Sequence, residues 1–268
     1  MNRIGDKFKS LRAKNEKALI VYLTAGDPSL DITKKLIFAL EKAGVDILEI
    51  GVPFSDPTAD GPVIQAASQR SLKSGTTLES VLKMVAEVRK VSEIPIVLFG
   101  YFNPIFAFGV KKFAHAARTA GVDGVLVVDL PYEEAKELRT YTDAVGIDFI
   151  SLIAPTTEEA RLKKIAADAT GFLYYISITG ITGTAAPKID NIKIEVEKIR
   201  KVTKLPIAVG FGISKPQQAR EIGRFADGIV IGSAVVRMID ENKNNRDLIE
   251  IVSDYIIDIK KELNIYYA

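Results

Sequence analysis

The stretch Gly121–Asp129 (GVDGVLVVD) shows how this chain is built, because a glycine turn leads straight into a short apolar run. Gly121 follows a segment with apolar residues every three or four positions, and a glycine there can end a helix in the left-handed conformation. The run Gly124–Asp129 is β-branched and nearly all apolar, which is typical of a strand buried on both faces. The same Gly-Val/Ile-Asp joint recurs at 44–46 and 146–148. These joints predict helices that alternate with the strands of a parallel sheet.

Apolar runs of this kind predict eight strands, and the amphipathic segments between them predict helices. The predicted strands are Ala18–Thr24, Asp46–Ile50, Pro95–Tyr101, Gly124–Asp129, Asp148–Ile153, Phe172–Ser177, Pro206–Gly210 and Gly228–Ile231. The predicted helices are Leu30–Ala43, Pro62–Lys90, Val110–Ala120, Tyr132–Val145, Thr157–Ala169, Ile192–Val202, Lys215–Ile222 and Arg246–Leu263, with a short extra one at Ile4–Ala13.

This alternation predicts an α/β fold with one domain over residues 1–268, a (β/α)8 TIM barrel with an extra N-terminal helix. An open doubly wound sheet is disfavoured, because the turn after the first strand, Thr24–Pro28 (TAGDP), lacks the Gly-rich dinucleotide fingerprint.

The composition argues against several classes of function. The chain carries 36 Lys and Arg against 34 Asp and Glu, so no strong field favours nucleic acid or an anionic membrane. Cysteine is absent and there is one histidine, which argues against thiolate metal sites, a cysteine nucleophile and a histidine relay. Met1–Arg12 lacks a signal-peptide pattern, and no apolar run reaches the roughly 18 residues of a membrane span. We expect a cytoplasmic protein that binds neither nucleic acid nor membranes.

Two glycine-containing loops predict a phosphate site. In barrels of this class the active site lies at the carboxyl ends of the strands, and the last two loops recurrently bind phosphate. Here the seventh strand is followed by Gly210–Ser214 (GFGIS) and the eighth by Gly232–Ala234 (GSA), directly before a short helical stretch. Glycine lets backbone N–H groups approach an anion, and a helix N-terminus adds positive potential. The alternative is that these glycines only make tight turns, but their occurrence in both expected loops favours phosphate.

Two carboxylates are candidates for acid–base chemistry. Glu49 lies between apolar residues at the end of the second strand, where burial would raise its pKa. Asp60 lies near the end of the next loop, Gly51–Gly61 (GVPFSDPTADG), and would form a carboxylate pair with Glu49. Each also has a structural interpretation, since Glu49 could bond to a neighbouring strand. Asp60, like Asp56, could make a turn or cap a helix.

Aromatic residues near the strand ends suit a flat apolar ring, and they are Tyr22, Phe99, Tyr101, Tyr174 and Phe211. Because strand residues alternate sides, some of them would point into helix packing instead. The Gly- and Thr-rich segment Ser177–Asp190 predicts a mobile lid, with an insertion of no function as the alternative. No lysine ends a strand, which disfavours a Schiff-base aldolase. We assign His115, within a helical segment, a structural or surface role.

Several segments resemble a known family, the tryptophan synthase alpha chains. The run Leu48–Gln65 (LEIGVPFSDPTADGPVIQ) is similar to the signature of this family and is highly specific. The similarity continues in the right order along nearly the whole chain, through Thr24–Pro28, Tyr101–Ile105 (YFNPI), Val127–Pro131 (VVDLP), Gly180–Gly183 (GITG), Gly210–Ser214 and Gly232–Ala234. The last two segments alone are shared with many phosphate-binding barrels.

The resemblance implies a lyase that cleaves indole-3-glycerol phosphate into indole and glyceraldehyde 3-phosphate. It implies that Glu49 helps to protonate carbon C3 of the indole and relays protons, and that Asp60 binds the indole N–H. Thr182 of the lid would close against Asp60. The implied indole pocket consists of Tyr22, Phe99, Tyr101, Tyr174 and Phe211, and the implied phosphate ligands are Gly183, Gly212, Gly232 and Ser233.

The resemblance also implies a protein partner. Alpha chains of this family assemble with a beta chain into an α2β2 tetramer, and the pyridoxal phosphate belongs to the beta chain. We therefore expect no cofactor and no metal in this chain. The apolar segment Asn103–Val110 (NPIFAFGV), with the loop Pro53–Asp56 alongside, is the expected partner surface. Packing of that segment under the third helix is the alternative.

Two rival functions are a phosphoribosyl isomerase and a catalytically silent subunit that only binds a phosphate ligand. Such isomerases typically place their acid and base at the ends of strands 1 and 5. Here those strands end in Thr24 and Ile153, which cannot do that work. The presence of both Glu49 and Asp60 argues against the silent subunit, and an assay of indole release would separate it from an enzyme.

Overall fold

A computed structural model describes residues 3–176, 189–210 and 212–265, and its strands form one parallel sheet. The strands are β1 (Ala18–Thr24), β2 (Ile47–Gly51), β3 (Ile96–Gly100), β4 (Gly124–Val127), β5 (Asp148–Phe149), β6 (Ser151–Ile153), β7 (Leu173–Ile176), β8 (Ile207–Gly210) and β9 (Gly228–Ile231). Their order across the sheet is β5-β4-β3-β2-β1-β9-β8-β7-β6. The helices of the chain surround this sheet, and the predicted TIM barrel is confirmed.

The fifth strand differs from its prediction, because Asp148–Ile153 is interrupted at Ile150. β5 pairs with β4, whereas β6 pairs with β7, so the strand changes its hydrogen-bonded neighbour between the two pieces. Ile150 itself donates its backbone N–H to the carbonyl oxygen of Val125 at 2.9 Å. The nine strands are therefore the eight expected positions of a barrel that this interrupted strand closes.

The helices are α1 (Arg3–Ala13), α2 (Leu30–Lys42), α3 (Pro62–Lys73), α4 (Leu78–Val88), α5 (Phe102–Phe108), α6 (Val110–Ala120), α7 (Lys136–Thr142), α8 (Glu159–Asp168), α9 (Ile189–Arg200), α10 (Pro216–Gly223), α11 (Ser233–Asn242) and α12 (Leu248–Leu263). Within the described parts of the chain, none of these helices combines the length and the apolar character that a membrane crossing requires.

The prediction of one helix over Pro62–Lys90 is wrong, because α3 and α4 are separate. Thr77 starts α4 with a capping box: its side chain accepts the N–H of Ser80, and the Ser80 hydroxyl accepts the N–H of Thr77. A capping box satisfies N–H groups that only the first turn of a helix leaves free, so it marks a new helix. Periodicity alone does not reveal this break.

Two other segments also differ from their predictions. Tyr132–Val145 contains only the short helix α7 and a 3₁₀ turn over Asp143–Val145. α5 was not predicted, because its sequence FNPIFAF is short and has no polar face.

The interior of the barrel is filled from its amino end by α1. Ile4, Phe8 and Leu11 of this helix are buried together with inward-facing strand residues, and the rings of Phe8 and Phe172 lie 5.7 Å apart. Every second residue of each strand faces inward, whereas the residues between them pack against the outer helices. The amino end of the barrel is thus closed, and open space within the barrel lies at the carboxyl end.

The aspartates of the glycine joints hold the amino end of the barrel together. Asp123 accepts the N–H of Ile96 at 2.9 Å and forms salt bridges with Arg3 and Arg89 at 2.9 and 3.1 Å. Asp46 accepts the N–H of Leu19 at 2.8 Å. In each case a carboxylate at the start of one strand bonds to the neighbouring strand, so the repeated Gly-Val-Asp phrase has a structural role.

Candidate active site

A cleft of about 690 Å³ opens at the carboxyl ends of the strands. Eight of the predicted site residues that the structure describes line this cleft, and they are Tyr22, Glu49, Asp60, Phe99, Tyr174, Gly212, Gly232 and Ser233. Thr182, Gly183 and Phe211 lie outside the described residues, as does most of the predicted lid. The chain folds so that residues from its first quarter meet residues from its last fifth.

Glu49 lies inside the barrel because it alternates with Leu48 and Ile50, which pack against the outer helices. Only 1% of its surface is exposed, and its Oε1 atom has no hydrogen-bond partner among the described residues. No cation in the described parts of the chain offsets the loss of hydration, so burial raises the pKa of Glu49 to about 8. At neutral pH this group therefore holds a proton that it can donate into the cleft.

Asp60 lies at the start of α3, where Gly61 and Pro62 begin the helix. Its carboxylate accepts the hydroxyl of Tyr101 at 3.1 Å, and its backbone carbonyl accepts the side-chain amide of Gln65 at 2.8 Å. Burial raises the pKa of Asp60 to about 6, against the opposing effect of the Tyr101 hydrogen bond. At neutral pH Asp60 is mostly ionised, so the two acids of the cleft differ in charge.

Tyr101 does not line the cleft but lies behind Asp60. Its hydroxyl also accepts the N–H of Ala59 at 3.0 Å, and its ring lies 5.2 Å from that of Phe54. Tyr101 therefore fixes the loop that carries Asp60. That Tyr101 contacts the ring of a ligand stays a prediction, and among the described residues Phe99, Tyr22 and Tyr174 supply the aromatic wall of the cleft.

Two tyrosines approach glycines of neighbouring strands closely. A Cβ atom on Gly51 would collide with the hydroxyl of Tyr22, and one on Gly210 would collide with the hydroxyl of Tyr174. Burial raises the pKa of both tyrosines, and the charges of Asp60 and Glu49 respectively raise them further. Both phenols therefore stay neutral near the carboxyl pair, and the two glycines leave the room that the tyrosine hydroxyls occupy.

The far side of the cleft is formed by the start of α11. Gly232 precedes this helix without a capping side chain, and Ser233 is its first residue. At the neighbouring helix α10, by contrast, the Gln218 side chain accepts the N–H groups of Ser214 and Lys215, both at 3.0 Å. The first N–H groups of a helix lack partners within it, so those of α11 are available to an anion in the cleft.

One charged residue of the cleft was not predicted. Arg237 lines it from α11, four positions after Ser233. The sequence does contain a signal for Arg237, because residues four apart in a helix lie on one face and Ser233 belongs to the candidate phosphate loop.

Elsewhere, His115 is exposed on α6 and lines a separate, wider groove of about 960 Å³ between α4 and α6. The described residues contain no cluster of three or more His, Asp or Glu that could hold a metal ion. The surface position of His115 agrees with its predicted role.

The fold and the cleft define a class of protein, a TIM barrel whose cleft holds two carboxyl groups of different charge beside an uncapped helix start, an arrangement suited to proton transfer. A family model described as tryptophan synthase alpha chain matches residues 8–261. The chain belongs to this family. It is a lyase, and the alpha chain cleaves indole-3-glycerol phosphate in tryptophan biosynthesis.

Individual relatives agree with this assignment. The tryptophan synthase alpha chain of Citrifermentans bemidjiense is 49% identical over 261 residues, which are 97% of each chain. The crystal structure of the alpha subunit from Legionella pneumophila superposes with a TM-score of 0.92 at 38% identity, covering 98% of this chain and 99% of that one. A structure of the Pyrococcus furiosus tryptophan synthase a2b2 complex has a TM-score of 0.80 at 37% identity, covering 91% and 98%.

Proposed function

We propose that Glu49 and Asp60 divide the cleavage of indole-3-glycerol phosphate between them. The observation that carries this proposal is the buried carboxyl group of Glu49, whose Oε1 has no partner among the described residues, in the same cleft as the largely ionised Asp60. Protonated Glu49 donates to carbon C3 of the indole. Ionised Asp60 accepts the indole N–H and stabilises the positive charge that C3 protonation creates.

The chemistry of indole explains why two such groups are needed. Indole leaves poorly as a carbanion, so the carbon–carbon bond breaks only after C3 has been protonated and the ring can accept an electron pair. The glycerol hydroxyl next to the breaking bond then loses its proton as the aldehyde forms. Glu49, ionised by its first transfer, takes up that proton and returns to its starting state. The indole and glyceraldehyde 3-phosphate formed contain all the atoms of the substrate.

The phosphate of the substrate binds at the start of α11 and at Gly212, on the far side of the cleft. This assignment is supported by the uncapped N-terminus of the helix and by the absence of a side chain at Gly212 and Gly232. Backbone N–H groups at a helix start hold an anion without needing a lysine. Gly183 and Thr182 would complete the phosphate site and the contact with Asp60. Tyr22, Phe99 and Tyr174 would enclose the indole ring, together with Phe211.

A beta chain is the proposed partner, in an α2β2 tetramer whose pyridoxal phosphate lies in the beta chain. The a2b2 complex named for the Pyrococcus furiosus relative supports the assembly. On this chain, Ile105 of α5 is buried, whereas Phe106 is 59% exposed. α5 therefore packs on the barrel and also presents an apolar side chain to a partner, beside the loop Pro53–Asp56.

This surface is connected to the site through the chain itself. α5 begins at Phe102, directly after Tyr101, which bonds to Asp60. A partner bound at α5 would act on the position of Asp60 by this route. We place the enzyme in the cytoplasm, which suits a biosynthetic family of this kind.

Release of indole from indole-3-glycerol phosphate tests the proposed mechanism directly. The isolated chain should release indole, and Asp60→Asn should lower kcat/KM by about 10²–10⁴-fold because the ring nitrogen loses its charged acceptor. Asp56→Asn is the matched control, since Asp56 lies exposed in the same loop, and it should stay within about 2-fold of the parent. Equal rates for the two variants would remove Asp60 from the mechanism.

A further inference from the structure

Arg237 is a charged residue of the cleft that the proposed mechanism does not use. It lies on α11 and lines the cleft together with Gly232 and Ser233. Residues four apart lie on the same face of a helix, and helical side chains lean toward the N-terminus. The guanidinium of Arg237 is therefore directed toward the Ser233 end of α11, where the phosphate is proposed to bind.

The charges around the cleft make Arg237 distinctive. Within the described residues that line the cleft, it is the one cation, and the acidic residues there are the protonated Glu49 and the ionised Asp60. The structure gives Arg237 no ion pair with any described residue. Asp240, on the next turn of α11, is instead paired with Arg70 at 3.2 Å and with Lys243 at 2.7 Å.

This arrangement leaves the guanidinium available to a ligand. Without Arg237, a dianionic phosphate would enter a cleft in which the negative Asp60 is the one charged side chain among the described residues. The N–H groups of α11 supply partial positive charges but no full charge. An arginine presents several donors in a planar fork that matches phosphate oxygens.

We propose that Arg237 is a specificity-determining residue that binds the phosphate group of the substrate from the mouth of the cleft. The proposal rests on the proposed function, because it takes the phosphate to lie at the start of α11. The guanidinium touches the phosphate and not the indole, so it contributes equally to the ground state and the transition state. Its contribution therefore appears in KM and leaves kcat unchanged.

Arg237→Gln tests this assignment, because it removes the charge while keeping a long polar side chain. With indole-3-glycerol phosphate as substrate, KM should rise by about 5–20-fold while kcat stays within about 2-fold. The inhibition constant of glycerol 3-phosphate should rise in parallel. Arg237→Lys should recover part of the loss because it restores the charge without the planar fork.

Arg246→Gln is the matched control. Arg246 is exposed between α11 and α12 and does not line the cleft, so its removal should leave KM and the inhibition constant unchanged.

Raising the salt concentration should weaken glycerol 3-phosphate binding more in the parent than in Arg237→Gln, since screening acts on the charge that the variant lacks.

Two results would overturn the role of Arg237. One is an unchanged KM in Arg237→Gln, and the other is a loss in kcat with KM preserved, which would assign the residue to the chemical step. Failure of the proposed function has a different signature. The parent itself would then neither release indole nor bind glycerol 3-phosphate, whatever residue stands at position 237.

Discussion

The two ends of this barrel use the same kind of side chain in opposite ways. At the amino end, Asp46 and Asp123 each accept a backbone N–H from the neighbouring strand and pair with Lys260 or with Arg3 and Arg89. At the carboxyl end, Glu49 is equally buried, but no described residue offers it a salt bridge. A carboxylate with partners holds strands together, whereas one without partners keeps its proton and is available for chemistry.

The difference lies in the surroundings and not in burial itself. Asp123 is 4% exposed and Glu49 is 1% exposed. Arg3 of α1 and Arg89, which directly follows α4, both form salt bridges with Asp123. The cleft that Glu49 lines contains Tyr22, Phe99 and Tyr174, and no described residue forms a salt bridge with Glu49. Burial alone therefore does not distinguish a structural carboxylate from a reactive one, because the difference lies in the neighbouring residues.

The largest effect should come from Glu49→Gln. This variant keeps the shape of the side chain but can neither donate nor accept the proton, so indole release should fall by about 10²–10⁴-fold. The melting temperature should not fall, because no described residue loses a hydrogen bond to Glu49. Indole release within about 3-fold of the parent would show that Glu49 does not take part in the chemistry, and the contrast with Asp123 would fail.

Asp123→Ala should have the converse effect. Removal of the carboxylate leaves the N–H of Ile96 without a partner and takes an ion pair from both Arg3 and Arg89, so the free energy of unfolding should fall by about 2–4 kcal/mol. Urea unfolding measures this change. The kcat of the folded fraction should stay near that of the parent, and a selective loss of kcat would contradict a purely structural role.

The pH dependence of stability should depend on Glu49. Its pKa is 4.5 in an unperturbed chain and about 8 in the fold, so between these values the folded protein retains a proton that the unfolded chain has lost. The free energy of unfolding therefore falls as the pH rises through this window. From about pH 6.5 to 8.5 we expect a loss of about 2 kcal/mol that is missing in Glu49→Gln. Parallel urea titrations would reveal it, and identical slopes for both proteins would contradict the raised pKa.

The smallest expected effect is that of Tyr101→Phe. The Tyr101 hydroxyl lowers the pKa of Asp60, so its removal should raise that pKa above about 6 and move the acidic limb of the kcat/KM profile upward. At about pH 6.5 the rate should fall by about 2–5-fold, and the loss should shrink by pH 7.5. A loss that is independent of pH would mean that Tyr101 acts by shaping the loop and not through the charge of Asp60.

Most of the barrel could be predicted from local pattern. Strands buried on both faces read as apolar runs, so β1 and β9 have their predicted bounds. Where local signals compete with periodicity, the prediction failed, as at the capping box that separates α3 from α4. The break in the fifth strand at Ile150 could not be predicted from local pattern, because it depends on which strands lie on either side of it.

Parts of the candidate site could also be predicted. Glu49 was a candidate because a carboxylate in an apolar strand must be paired or shifted in pKa. The placement of Tyr101 behind Asp60, and of Arg237 beside Ser233, depends on how α3, α5 and α11 pack on the barrel. The spacing of four residues puts Arg237 on the same face of α11 as Ser233, but it does not show that this face lines the cleft.

The sequence by itself determined the alternation of strands and helices, because apolar periodicity and glycine joints act over a few residues. It also determined which residue types could carry proton chemistry. Only the tertiary structure decided which carboxylates have partners, since the basic residues that neutralise Asp46 and Asp123 come from distant segments. The pKa of a buried acid depends on every charge and dipole around it, and those neighbours are brought together by the closure of the barrel.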